Sequence, residues 1–231
     1  MIRFPITAIA LVMALAAQVA AGPAPPSELE AVLDRMDAAA ASFRTAEADF
    51  VWDQYQRVVQ ETDTQKGKVF FRRRGQETQM AAEIAVPDKK YVLFTEGKVR
   101  LYQPRIDQVT EYSTGKNKGE VESFLVLGFG GRGHDLLKSF EVRYAGSEAI
   151  GGVKTARLEL QPKTLKMRGV FERIVLWIDW ERGVSLQQQF FEPSGDYRLA
   201  QYTNIRLNQQ VADDVFRLKT TSKTKFVNPQ G

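Results

Sequence analysis

Residues Gly119 to Phe140 read GEVESFLVLGFGGRGHDLLKSF. A greasy run of helical length is followed by four glycines in six residues (Gly128 to Gly133), then by a second short amphipathic run. Most of the chain after its first helix alternates like β-strand, so an apolar helical pair on a glycine joint stands apart. Apolar side chains on a movable element suit a place where something greasy must be covered and uncovered. The expectation is a lid over a lipid-sized cavity.

Upstream, Ser27-Glu28-Leu29-Glu30 opens a helix, with Ser27 as cap and Glu30 completing a capping box. Leu29, Val32, Leu33, Met36, Ala40 and Phe43 then recur at helical spacing, one buried face used for packing. From Ala46 the period shifts towards two. Strands are expected at 46–60, 66–74, 77–85, 91–95, 99–103 and 108–112, and beyond the lid at 141–145, 155–161, 172–180, 185–191, 197–207 and 216–220. Gly97, Gly151-Gly152, Gly183 and Pro193-Ser194-Gly195 punctuate them at hairpin spacing. Consecutive hairpins predict a mainly β fold with helices: a strongly curved antiparallel sheet forming an unclosed barrel. In Ile174-Val175-Leu176-Trp177-Ile178-Asp179-Trp180 both strand faces are largely apolar, so each needs a cover, and the N-terminal helix and the lid are available.

The first residues bear on compartment. Arg3 is a positive start, Phe4 to Ala17 is apolar apart from Pro5 and Thr7, and Val19-Ala20-Ala21 suits a cleavage site. The run is shorter than the ~20 residues a membrane span needs, so it reads as a secretory signal peptide over 1–21, leaving one soluble, exported domain over 22–231. Cysteine is absent, which excludes a disulfide framework, a thiolate metal site, a cysteine nucleophile and an N-terminal lipidated cysteine. The formal charge of +4 falls to +3 without Arg3, too mild a surplus to argue for nucleic acid. Weak attraction to anionic head groups or acidic proteins is compatible with it.

Catalytic constellations are thin. His134, the one histidine, lies by the glycine joint with only Asp135 as a local carboxylate, and reads as a solvated or capping residue. Asp179 and Glu181 share a strand face but stand beside Arg182-Gly183, where charged turn residues are ordinary. No serine stands in a nucleophile elbow. Gly128-Phe129-Gly130-Gly131-Arg132-Gly133 spells G-x-G-x-x-G without the preceding strand that a dinucleotide site requires, so its glycines read as a helix terminus and hinge. No catalytic set, metal site or cofactor is expected. Arg72-Arg73-Arg74 closes a strand, either as a solvated cluster or as guanidinium donors to the carbonyls of a closed lid.

GKVFFRRR from Gly67, VPDKKYVLFTEGKVRLYQPRIDQVTEY from Val86, the apolar lid and VADDVFRLKT from Val211 follow in an order that resembles the periplasmic outer-membrane lipoprotein carrier family, LolA-like proteins also described as outer membrane lipoprotein-sorting proteins. The resemblance covers most of the chain after residue 21 and implies an unclosed barrel with a helical lid. It implies a periplasmic carrier rather than an enzyme: a monomeric shuttle taking acylated lipoproteins or other lipids from an inner-membrane ABC exporter to an outer-membrane acceptor. By family position the latch falls on Arg73, with Arg72 and Arg74 one residue either side. Cavity residues fall on Met80, Ala82 and Ile84, lid residues on Phe124, Leu125 and Leu127, and the hinge on Gly128, Gly130, Gly131 and Gly133. The family's proline after the arginine is missing and its cavity aromatics are replaced by smaller aliphatics. A related lipid cargo, or a lipid- or lipoprotein-sensing role on the same fold, stays open.

Overall fold

The structure is a computed structural model that describes residues 27–75, 77–115 and 127–229. The signal-peptide reading of residues 1–21 lies outside them.

Helix α1 spans Glu28–Ser42, and the Ser27 hydroxyl accepts from the Glu30 N–H at 3.2 Å. That half of the capping box forms as expected, and the Glu30 carboxylate reaches His134 Nε2 at 2.8 Å. Val32, Leu33, Met36 and Ala40 are buried at helical spacing, as an amphipathic helix on a sheet requires.

Twelve strands follow: β1 (Thr45–Gln56), β2 (Glu61–Arg74), β3 (Glu77–Val86), β4 (Lys90–Thr95), β5 (Lys98–Gln103), β6 (Gln108–Ser113), β7 (Phe140–Ile150), β8 (Val153–Pro162), β9 (Arg173–Asp179), β10 (Ser185–Phe191), β11 (Tyr197–Leu207) and β12 (Lys225–Val227). They form one sheet in the order β12-β6-β5-β4-β3-β2-β1-β11-β10-β9-β8-β7, antiparallel except for β12 beside β6. The sheet does not close on itself, which is the unclosed, mainly β architecture that the alternating pattern predicts. Helix α2 (Gly133–Ser139) leads into β7, and the single turn α3 (Leu165–Arg168) lies between β8 and β9.

Several boundaries differ from expectation: β1 ends at Gln56 rather than at residue 60, and β7 runs on to Ile150 rather than stopping at residue 145. β2 begins at Glu61, with Gln56 opposite Glu61 and Tyr55 opposite Thr62, so the ladder runs through polar residues that show no apolar alternation. No strand forms at 216–220. A 3₁₀ turn over Asp213–Phe216 instead packs Phe216 on the outer face, against Phe70, Ala81 and Leu93. Burying those side chains replaces the backbone ladder, and β12 comes later.

The concave face holds two apolar clusters. In one, Val32, Leu33 and Met36 of α1 lie on Leu158 and Leu160 of β8 and on Ile174, Leu176 and Ile178 of β9. In the other, Phe43, Phe50, Val69, Phe71, Ile84 and Phe129 meet over β1 to β3. β9 is apolar on both faces as expected. α1 covers the inner one, while outward Trp177 donates its indole N–H to Glu148 of β7 at 2.9 Å. No described helix is long and apolar enough to cross a membrane.

Candidate functional site

Strand parity sorts the three arginines. Val69, Phe71 and Arg73 point to the concave side, whereas Phe70 and Arg72 point outward. Arg72 donates to Gln79 and pairs with Asp213, its guanidinium 4.1 Å from the Phe216 ring centroid. Arg73 faces the lid joint. One terminal nitrogen donates to the Gly130 carbonyl at 2.7 Å and the other to the Ala40 carbonyl at 2.8 Å. A single cation therefore joins the C-terminal turn of α1 to the joint. Charge-assisted bonds of this kind are roughly twice as strong as neutral ones. Arg74 is exposed at the strand end.

The joint is held at two further carbonyls. The Ser185 N–H donates to Gly128 O at 2.9 Å, and Gln188 Nε2 donates to Leu127 O. Gln188 is itself buried, and its Oε1 accepts from the Tyr202 hydroxyl at 3.3 Å. Burial pushes the Tyr202 phenol well above its ordinary value of 10.0, so it stays protonated and a donor.

Between these anchors Phe129 turns into the concavity and is 1% exposed. Its ring stacks on Phe71 (centroids 5.1 Å, 11° between planes) and meets Tyr202 edge-on at 4.8 Å. Around it Trp52, Met80, Ala82, Val92, Ile205 and Leu207 are only half-buried. The joint glycines have a packing reason. Gly130 sits at φ +79°, and a Cβ there would lie 2.5 Å from the Phe43 ring. A Cβ on Gly133 would lie 2.5 Å from Leu33 O.

Of the expected cavity and lid residues, Met80, Ala82 and Ile84 share the concave face with Phe129, Ile84 being buried. Leu127 packs in the other cluster, under α1. Phe124 and Leu125 lie outside the described residues. Gly128 and Gly130 take positive φ, while Gly131 is half-buried in the link to α2. Sequence reasoning missed Phe129, which enters it only as one position of the glycine motif. Its signal was an aromatic flanked by glycines, the local setting in which a large ring can be turned inward. Tyr202 and Gln188 carried no such signal.

His134 corrects an expectation: it is not a solvated loop residue. From the first turn of α2 it reaches two acids of α1, with Nδ1 3.0 Å from Asp37 Oδ2 and Nε2 2.8 Å from Glu30 Oε1. Its partners are some hundred residues away in sequence, so local inspection could not find them. Arg132 also reaches Asp37 at 3.1 Å. The bond to Glu30 raises the imidazole pKa above 6.5, outweighing burial, and Asp37 adds to it. Burial works to raise the Asp37 pKa, but the bonds from His134 and Arg132 outweigh it and hold that carboxyl below 3.8. Glu30, Asp34 and His134 offer ligand atoms within 4.8 Å of one another, but both ring nitrogens already face carboxylates, and an ion triad accounts for the arrangement. Asp179 is 2% exposed and accepts from the Glu181 and Arg182 N–H groups and from Arg182 Nε. It closes a turn.

Among curated protein sequences none matches. In fold the chain is similar to an uncharacterized conserved protein from Thermus thermophilus, at 12% identity and TM-score 0.55, covering 85% of this chain and 96% of that one. It is also similar to MucB in the Pseudomonas aeruginosa MucA/MucB complex, at 12% identity and TM-score 0.51, covering 83% of this chain and 61% of that one. The family described as Outer membrane lipoprotein carrier protein LolA matches residues 41–219, which include β1 to β11, the joint and Arg73. The chain belongs to the LolA family.

Proposed function

We propose that the protein is an exported carrier that shelters acyl chains of lipoproteins on its concave face and releases them to an acceptor. The observation that carries this is the Phe129 plug: a fully buried aromatic on a glycine joint, seated on buried Phe71 and Ile84 and bordered by half-covered Trp52, Met80, Ala82, Val92, Ile205 and Leu207. Each buried CH₂ is worth ~0.8 kcal/mol, so a chain of about sixteen carbons costs on the order of 10 kcal/mol to leave in water. A soluble carrier must match that environment and still let go. Displacing Phe129 exchanges one apolar contact for another, which keeps net affinity modest. Met80, Ala82 and Ile84 contribute the floor. Phe124, Leu125 and Leu127 are the cargo-exchanging lid residues of this proposal, and Gly128, Gly130, Gly131 and Gly133 absorb the backbone change when it opens.

Arg73 is the latch in this reading, because the bonds it makes in the closed form are lost when the joint lifts. Arg73→Leu should remove that incentive to close and slow release of a bound acylated peptide by at least tenfold, given about 1.5–3 kcal/mol for a charge-assisted bond. Stopped-flow transfer of a fluorescent acyl-peptide to acceptor vesicles measures it. Release as fast as wild type would discard the latch. The donor and acceptor in this reading are an inner-membrane ABC exporter and an outer-membrane acceptor, the protein acting as a monomer in the periplasm.

A second reading is favoured by the likeness in fold to MucB, which is solved in complex with MucA: the same face senses lipids or lipoproteins and the protein answers to a protein partner. Mass spectrometry of material co-purified from the periplasm separates the two. A carrier returns acylated protein, and a sensor returns a stoichiometric signalling protein.

A further inference from the structure

Nine large apolar residues are exposed among the described residues, and six of them stand at one rim of the sheet: Val58, Val59, Val86, Ile106, Leu165 and Val170. This is the rim with the turns β1–β2, β3–β4, β5–β6, β8–β9 and β10–β11. The Arg73 latch lies at the other. Three of the turns form one continuous surface. The Arg57 N–H donates to Asp196 Oδ1 at 2.8 Å, joining the β1–β2 tip to the β10–β11 turn. The Glu172 N–H donates to Phe191 O at 2.8 Å, and Arg198 lies 5.4 Å from the Phe171 ring, joining the β8–β9 segment to both sides of that turn.

The β8–β9 segment is built rather than loose. Met167 and Phe171 are buried anchors, Thr164 caps α3 by accepting from the Met167 N–H, Arg168 Nε donates to Pro162 O and Lys163 Nζ donates to Leu137 O. Yet Leu165 is 83% exposed and Val170 is 52% exposed, and at the adjoining tip Val58 is 92% exposed. The same three turns and the strand ends that flank them carry Arg57, Lys163, Lys166, Arg168, Arg173 and Arg198 against Glu61, Glu172, Glu192 and Asp196, six cations to four carboxylates. Within KTLKMRGV (163–170) there is no acid at all.

We propose that this rim docks on an anionic lipid bilayer, with Leu165, Val170, Val58 and Val59 entering the head-group layer and the surrounding Lys and Arg side chains meeting lipid phosphates. Aliphatic tips ringed by cations, held on a fixed scaffold, fit such an interface better than they fit water or an uncharged surface. The surface is separate from the concave face and does not depend on what that face carries.

Co-sedimentation of the full chain with phosphatidylcholine vesicles, with and without phosphatidylglycerol, tests it. Binding is expected to the phosphatidylglycerol vesicles and to weaken as salt rises. Leu165→Ser with Val170→Ser should reduce affinity about tenfold or more, Lys166→Glu about fivefold or more, and Val58→Ser with Val59→Ser similarly. Tyr112→Ser, at the opposite rim, should bind like wild type. Thermal melts establish that each variant is folded, and a soluble fluorescent acyl probe, read without vesicles, should bind all of them equally. Absence of wild-type binding to anionic vesicles, binding that the rim variants leave unchanged, or a self-association in solution that those variants abolish in its place would each overturn the proposal. Loss of acyl-probe binding by wild type would instead count against the carrier reading alone.

Discussion

The concave face is covered in two ways. Over β8 and β9, α1 lays Val32, Leu33 and Met36 on Leu158, Ile174, Leu176 and Ile178, all at most 1% exposed. Over β1 to β3 the described cover is Phe129, delivered by a joint whose carbonyls are tied to Arg73, Ser185 and Gln188. The first region spreads its energy over many dispersive contacts, none of which can be exchanged singly. The second concentrates it in one ring and a few directional bonds, which can be broken together. In the carrier reading proposed above, a sheet of one construction serves as a permanent core at one end and as an exchangeable site at the other.

That contrast is open to direct challenge. Leu176→Ala should have the largest effect, roughly 2–5 kcal/mol of unfolding free energy by urea denaturation, since α1 and the sheet cannot collapse into the void. A loss under about 1 kcal/mol would mean that this region too is loosely filled. Phe129→Ala should cost less than the ~3–5 kcal/mol typical of a core phenylalanine. It should also raise affinity for a fluorescent fatty-acyl probe about tenfold, because the aromatic pairings with Phe71 and Tyr202 no longer have to be displaced. Unchanged or weaker probe binding would remove the distinction between the two regions.

The smallest effect concerns the seam between α1 and α2. The raised pKa of His134 means that its contribution is complete below its ordinary 6.5 and is lost as pH climbs through the folded value. The lowered pKa of Asp37 means that its contribution is complete above 3.8 and fades as pH falls through its folded value. The seam is therefore tightest between those limits. Between about pH 6 and about pH 9 the melting temperature of wild type should drop more than that of His134→Gln. Equal slopes would show that the triad contributes nothing beyond packing.

Much of this was legible beforehand, for physical reasons. β10 and β11 have the bounds their pattern indicated, because along β11 Ala200 and Tyr202 turn inward while Gln201 and Thr203 between and after them are exposed, an alternation that marks a face. α1 announced itself through Ser27 and its stripe. Family position put the proposed latch on Arg73, but the residue pattern did not separate it from Arg72 and Arg74, because Val69-Phe70-Phe71 is apolar on both faces and gives no parity. Which way Arg72 and Arg73 face is fixed by the cover on each side, Phe129 within and Phe216 without, and both come from distant segments. The His134 triad and the strap over residues 208–227 were hidden for the same reason. Each is a long-range pairing of residues that look like ordinary surface where they stand.

That strap has a consequence for how the borders of the sheet meet other chains. An open sheet of twelve strands has two raw borders, each a template for another chain. At one border β12 is only three residues long, set beside β6 and fastened where Thr221 and Thr224 donate to the Asp107 carboxylate. At the other, β7 carries a bulge between Tyr144 and Ser147 that breaks the even row of donors and acceptors. Both margins of the sheet are in this way poor hosts for further strands.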